Sequence, residues 1–205
     1  MITSLIAFCV ISEPLKFVDE GPQDKSFLEF RRNLIGSIKK KNYTWVVNRI
    51  APDITFSFGF DDGLNELKSY WEMEDNGQEM WMQELLEAVQ LGGQFKSFEE
   101  GVRVFEAPYT WSAWPDELDA FEYVAVLGKE KPVYANADTG SKVVAKLSES
   151  AVVSREWEEG FREVEYAPDK FGWMSEADVR SPIDYRARFT KIKGNWMLSI
   201  FVAGD

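Results

Sequence analysis

Between Val124 and Ser181 no apolar pattern repeats with the 3.6-residue period of a helix, and this most limits what the chain can fold into. The apolar residues come instead in short runs: Val124–Leu127, Val143–Leu147, Ala151–Val153 and Phe161–Tyr166. These runs are rich in β-branched and aromatic side chains and are bounded by Gly, Asn, Asp, Ser or charged clusters. Such spacing is that of short strands and tight turns. Asp138-Thr139-Gly140 supplies turn chemistry, since Gly adopts positive φ without steric cost. The expectation is a small, strongly curved barrel of short strands.

Three segments carry a family likeness. Pro132-Val133-Tyr134 is followed by a polar turn and by Ser141-Lys142-Val143-Val144-Ala145-Lys146-Leu147; a Gly160-Phe161…Val164 segment comes next. Phe171-Gly172-Trp173-Met174 then precedes the turn Ser175-Glu176-Ala177-Asp178-Val179. In these residues the stretch resembles the bacterial SH3-like (SH3b) domain. It departs from that pattern at Tyr134-Ala135-Asn136-Ala137-Asp138, where such domains often carry an Arg-x-Gly-Pro turn. The chain as a whole is similar to bacterial SH3-domain-containing proteins of uncharacterised function. This likeness is carried by Ala107-Pro108-Tyr109, Trp114-Pro115, Phe121-Glu122-Tyr123-Val124-Ala125-Val126 and the Phe201-Val202-Ala203-Gly204-Asp205 end. The resemblance implies a barrel that recognises a cell-wall peptide or glycan outside the cytoplasm, with Tyr134, Tyr166 and Trp173 lining the groove.

Composition narrows the chemistry. The net charge is −12, and residues 1–119 hold most of the surplus, with 11 basic against 21 acidic residues. Such a surface repels phosphate backbones and anionic lipid heads, so nucleic acid is not an expected partner. Histidine is absent from all 205 residues, which removes His-dependent Ser and Cys triads and His-ligated zinc. The lone Cys9 permits neither an internal disulfide nor a Cys-based metal cluster. No cofactor is called for, and no residue is assigned a catalytic role.

The N-terminal run Leu5–Ile11 is too short to span a bilayer, and no stable membrane span is expected. It reads as the hydrophobic core of a signal peptide lacking a positive n-region, which places the protein in the periplasm or outside the cell. A lipoprotein box at Cys9, and an N-terminal strand or arm in a cytoplasmic protein, remain as alternatives.

The next hundred residues alternate helix and strand. Lys25–Lys41 is a helix with Phe27, Phe30, Leu34, Ile35 and Ile38 on one face and a basic triplet offsetting the dipole at its end. Tyr43–Ile50 is a short second helix that stops before Pro52. In Asp53–Phe60 the residues Ile54, Phe56, Phe58 and Phe60 alternate, predicting a strand with its aromatic face inward. Asp61-Asp62-Gly63 turns the chain and caps a third helix, Leu64–Trp71. A fourth, Gln78–Leu91, buries Trp81, Met82, Leu85, Leu86 and Val89 and ends at Gly92-Gly93. Gly101–Tyr109 returns to strand and stops at Pro108. At the far end, Ile183–Thr190 and Asn195–Ala203 form a hairpin that cannot stand alone.

The expected fold class is therefore α+β. Residues 1–20 form a possible targeting segment, 21–119 an α+β domain, 120–181 the SH3-like barrel and 182–205 a hairpin. The element order is weakly similar to nuclear-transport-factor-like cones. That favours packing the hairpin back on the N-terminal domain, with the barrel as an insertion. A hairpin appended to the barrel is the alternative.

Two further readings concern function. Tyr109, Trp111 and Trp114 lie among prolines in a stretch too irregular to predict a helix; rigid aromatics of this kind either line a ligand groove or wedge a junction. Glu106, Asp116, Glu117, Asp119 and Glu122 surround them, and a carboxylate-only glycan hydrolase would need two of these facing each other across a cleft. The leading expectation is a non-enzymatic binding module for a cell-wall peptide, a glycan or a protein partner. A structural role in protein assembly is the alternative.

Overall fold

The computed structural model describes residues 12–59, 61–98 and 101–204. The run Leu5–Ile11, Cys9 and Phe60 lie outside the described residues. The fold is mixed α+β, and the chain divides into two compact units, residues 12–16 with 116–182 and residues 17–115 with 183–204.

The first unit is built from strands: β1 (Ser12–Pro14), β5 (Tyr123–Val126), β6 (Lys131–Tyr134), β7 (Val143–Leu147), β8 (Ser150–Glu158), β9 (Phe161–Ala167), β10 (Lys170–Ser175) and β11 (Val179–Arg180). They pair along an open path, β11-β5-β8-β9-β10-β6-β7, and β1 adds to β8. The long strand β8 joins the two halves. Its first residues pair with β5 and β1, and from Ser154 onward, across a register shift between Ser154 and Trp157, it pairs with β9. The core is narrow and aliphatic: Val124, Val126, Val133, Val152, Val164, Met174 and Val179. Small β-branched side chains suit short strands that approach one another closely. Lys131 and Asp178 form an ion pair of 2.5 Å. Residues 12–15 of the expected targeting segment belong to this unit, where β1 pairs with β8 and Leu15 is buried.

The second unit contains α1 (Lys25–Lys39), α2 (Tyr43–Val47), β2 (Ile50–Thr55), α3 (Leu64–Trp71), α4 (Gly77–Gln90), β3 (Gln94–Ser97), β4 (Arg103–Ala107), α5 (Tyr109–Ser112), β12 (Arg186–Ile192) and β13 (Asn195–Val202). Its sheet runs β2-β13-β12-β4-β3, with β2 and β13 parallel and the other pairs antiparallel. The apolar stripe of α1 lies on this sheet. Phe27 meets Phe105, Trp196 and Phe189 at ring-centroid distances of 4.1, 5.0 and 5.7 Å. Asp24 starts the helix, its Oδ1 accepting from the backbone N–H groups of Ser26 and Phe27. Arg31 donates to both oxygens of Asp19 at 2.6 and 2.7 Å, and its guanidinium leaves no room for a Cβ at Gly21.

The strand expected over 53–60 is Ile50–Thr55, and Phe58 is 62 % exposed rather than part of an inward aromatic face. Pairing with β13 ends at Thr55, and Pro52 is tolerated because β2 is an edge strand. The second helix therefore ends at Val47. Asp62 does not cap α3: it accepts from the Thr55 hydroxyl at 3.0 Å, and Gly63 with φ 118° holds the cap position. The 101–109 strand is shortened to Arg103–Ala107, with Val102 exposed, and β3 is an additional strand pairing with it. Tyr109–Ser112, expected to be irregular, is a short helix, because the Pro108 carbonyl accepts from the N–H groups of Trp111 and Ser112.

Candidate functional site

The alternation of β10 sorts the Phe-Gly-Trp-Met segment onto two faces. Gly172 and Met174 point to the core, while Phe171, Trp173 and Ser175 point away from it. Gly172 is fitted to its place: a Cβ there would meet Val133 Cγ1 at 2.7 Å and the Tyr134 carbonyl at 2.8 Å. Its absence lets β6 come against β10 and sets Trp173 directly opposite Tyr134. Trp173 is also paired with Glu163 on β9. Phe161 shares that face and reaches Tyr134 edge-on at 6.3 Å. Phe171 extends the face, with the Arg155 guanidinium 3.6 Å above its ring. The result is a face of half-buried aromatics, Tyr134, Phe161, Phe171 and Trp173, beside the polar groups of Arg155 and Glu163.

Tyr166, expected in the same groove, lies on the opposite face. Its ring edge is 3.4 Å from the Cβ position of Gly172, and it packs against the aliphatic core. Parity along β9 separates it from Phe161 and Glu163. Phe161 and Phe171 join this face although the family resemblance names neither, and their two-residue spacing from Glu163 and Trp173 is the sequence signal that places them there.

The other expected trio belongs to the second unit and does not form a shared platform. Tyr109 is 1 % exposed and meets Phe17 edge-on at 5.3 Å. Trp111 is half-buried, with the guanidinium groups of Arg186 and Arg188 at 5.8 and 5.9 Å from its ring. Trp114 is half-buried, and its backbone N–H closes the turn onto Trp111. Thus Tyr109 is a core anchor and Trp111 part of a cation–aromatic stack.

The carboxylates proposed for hydrolysis are disposed differently. Glu106 is buried, and its Oε1 accepts from Arg188 Nε and Nη2 at 2.9 and 2.7 Å. Asp116, Glu117, Asp119 and Glu122 are exposed, and Asp119 accepts from the Phe121 N–H at 2.8 Å. Glu106 is thus engaged with a cation, and the other four carboxylates are open to solvent.

No helix among the described residues is long and apolar enough to cross a membrane. No protein-family model, no curated protein and no solved structure matches the chain.

Proposed function

We propose that the chain is a non-enzymatic, exported binding protein that recognises a cell-wall-type peptide or glycan through the unit built on residues 116–182. The Tyr134–Trp173 pair, set face-outward on adjacent strands, is the observation that carries this reading. Flat aromatic surfaces stack on the apolar faces of sugar rings and peptides, and a neighbouring acceptor such as Glu163 orients a hydroxyl or N–H. In this reading the unit is an SH3-like barrel. Support comes from its short strands, from β8 serving both halves of the sheet and from the close approach at Gly172. The second unit is in turn a nuclear-transport-factor-like cone, a reading supported by a five-stranded sheet packed on α1.

Sedimentation with isolated bacterial cell wall tests the proposal, comparing wild type with Trp173→Ala and Tyr134→Ala after circular dichroism shows all three folded. Wild-type protein is expected in the pellet, with each variant reduced at least about tenfold, as the loss of one central aromatic anchor implies. Wild-type protein that stays wholly in the supernatant would sink the reading. A second reading, docking to a protein partner, draws on the exposed Phe121 and Trp157 of the same unit, 67 % and 58 % accessible.

A further inference from the structure

The second unit contains a small cavity of about 170 Å3 between the end of α3, the start of α4 and Tyr185. Its walls are Tyr70, Trp81 and Tyr185, with Glu74, Glu84, Gly77 and Met80 completing the lining. Three aromatic rings and two carboxylates thus surround one space, and further ring contacts behind them make a rigid frame. Tyr185 stacks on Phe201 at 4.8 Å, Trp81 meets Phe201 edge-on at 4.8 Å, and Trp71 meets Trp81 at 5.2 Å. The phenols of Tyr70 and Tyr185 are hydrogen-bonded to each other.

We propose that this cavity binds the quaternary ammonium group of a small free molecule such as choline. A methylated ammonium ion spreads its charge over methyl groups, has no N–H to satisfy and meets the negative faces of aromatic rings favourably. A primary ammonium needs an acceptor for each of its three N–H groups, whereas a methylated head needs apolar and aromatic contact with a nearby counter-charge, the combination that Tyr70, Trp81, Tyr185, Glu74 and Glu84 offer. The size is appropriate, since a cavity of about 150 Å3 holds a benzene-sized guest. Beside it lies a wider groove of about 560 Å3 that shares Met80 and Glu84 and gives room for the rest of the ligand.

The local field favours a cation. Between Leu64 and Gln90 the chain carries seven acidic residues and one lysine. The start of α4 at Gly77 contributes partial positive charge, but Glu74, Asp75 and Glu79 surround that end. Tyr185 registers the same field: its phenol is pushed up to about 12, first by burial and then by the neighbouring Tyr70 and Glu84.

The test is calorimetric titration of the full chain with choline chloride and, separately, with 3,3-dimethyl-1-butanol, which has the same shape without the charge. Choline is expected to bind saturably and at least about tenfold more tightly than the alcohol. Glu84→Gln should weaken choline binding several-fold and leave the alcohol unaffected. Equal binding of the two probes, or no saturable heat with choline, would overturn the proposal. So would a folded Glu84→Gln variant with undiminished choline affinity. Should that variant not fold, the wild-type comparison of the two probes decides alone.

Discussion

Gly172 and Trp173 are adjacent in sequence and do opposite things. The glycine lets a neighbouring strand approach, and the tryptophan turns its ring away from the core. Gly172→Ala would force a methyl group against Val133 and the Tyr134 carbonyl, and overpacking of this kind costs about 1–3 kcal/mol. Urea unfolding should show a lower midpoint for the first unit, and an unchanged midpoint would refute the close approach. Tyr185 gives a second test at this scale. Its folded pKa of about 12 lies above the ordinary value of 10.0, so the native state holds its proton more tightly than the unfolded chain. The stability it contributes is fully present below about pH 10 and is lost as pH rises toward 12. Ultraviolet titration should find a late-ionising phenol that disappears in Tyr185→Phe. A wild-type curve with no late step would refute the buried, hydrogen-bonded phenol.

Among the elements, α1 was the most legible. Its apolar spacing named Phe27, Phe30, Leu34, Ile35 and Ile38, of which Ile35 is half-buried and the other four are buried. Asp24 caps it through Oδ1, so Asp24→Ala should cost about 1 kcal/mol, read as a lower unfolding midpoint of the second unit. A variant as stable as wild type would show that the cap contributes nothing. The strand β2 was less legible. Alternating Ile54, Phe56 and Phe58 suggested that pairing ran on to residue 60, but alternation reports which side chains can share a face, not how far a partner strand extends. The helix α5 was hidden for a related reason: four residues carry no period, and the carbonyl of Pro108 organises them.

At the scale of the molecule, the C-terminal strands have their partners far away in sequence. Pairing of β12 with β4 sets Ala187 opposite Ala107, and β13 lies parallel to β2. The chain therefore leaves the second unit after Pro115 and returns to it at Ile183. Replacing residues 116–182 with a short Gly/Ser linker should leave a cooperatively melting protein. Deleting residues 183–205 should abolish cooperative unfolding of the second unit, because β2 and β4 then lose their central neighbours. Thermal melts followed by circular dichroism distinguish these outcomes. A shortened chain that melts without a transition would show that the second unit depends on the first.

The sequence by itself determined local matters: where α1, α3 and α4 lie, the β-rich character of residues 124–181, and the net charge of −12. Periodicity, turn residues and ionisation are properties of a few neighbouring positions, so they can be read without a fold. The tertiary structure alone decided which aromatics share a surface. Tyr134 faces Trp173 because of strand register, Tyr166 is turned inward by one residue of parity, and Tyr109 is enclosed by Phe17 and the sheet. Tyr70, Trp81 and Tyr185 come together across more than a hundred residues of chain. Register and long-range packing depend on the summed burial of many side chains, and no window of sequence contains that sum.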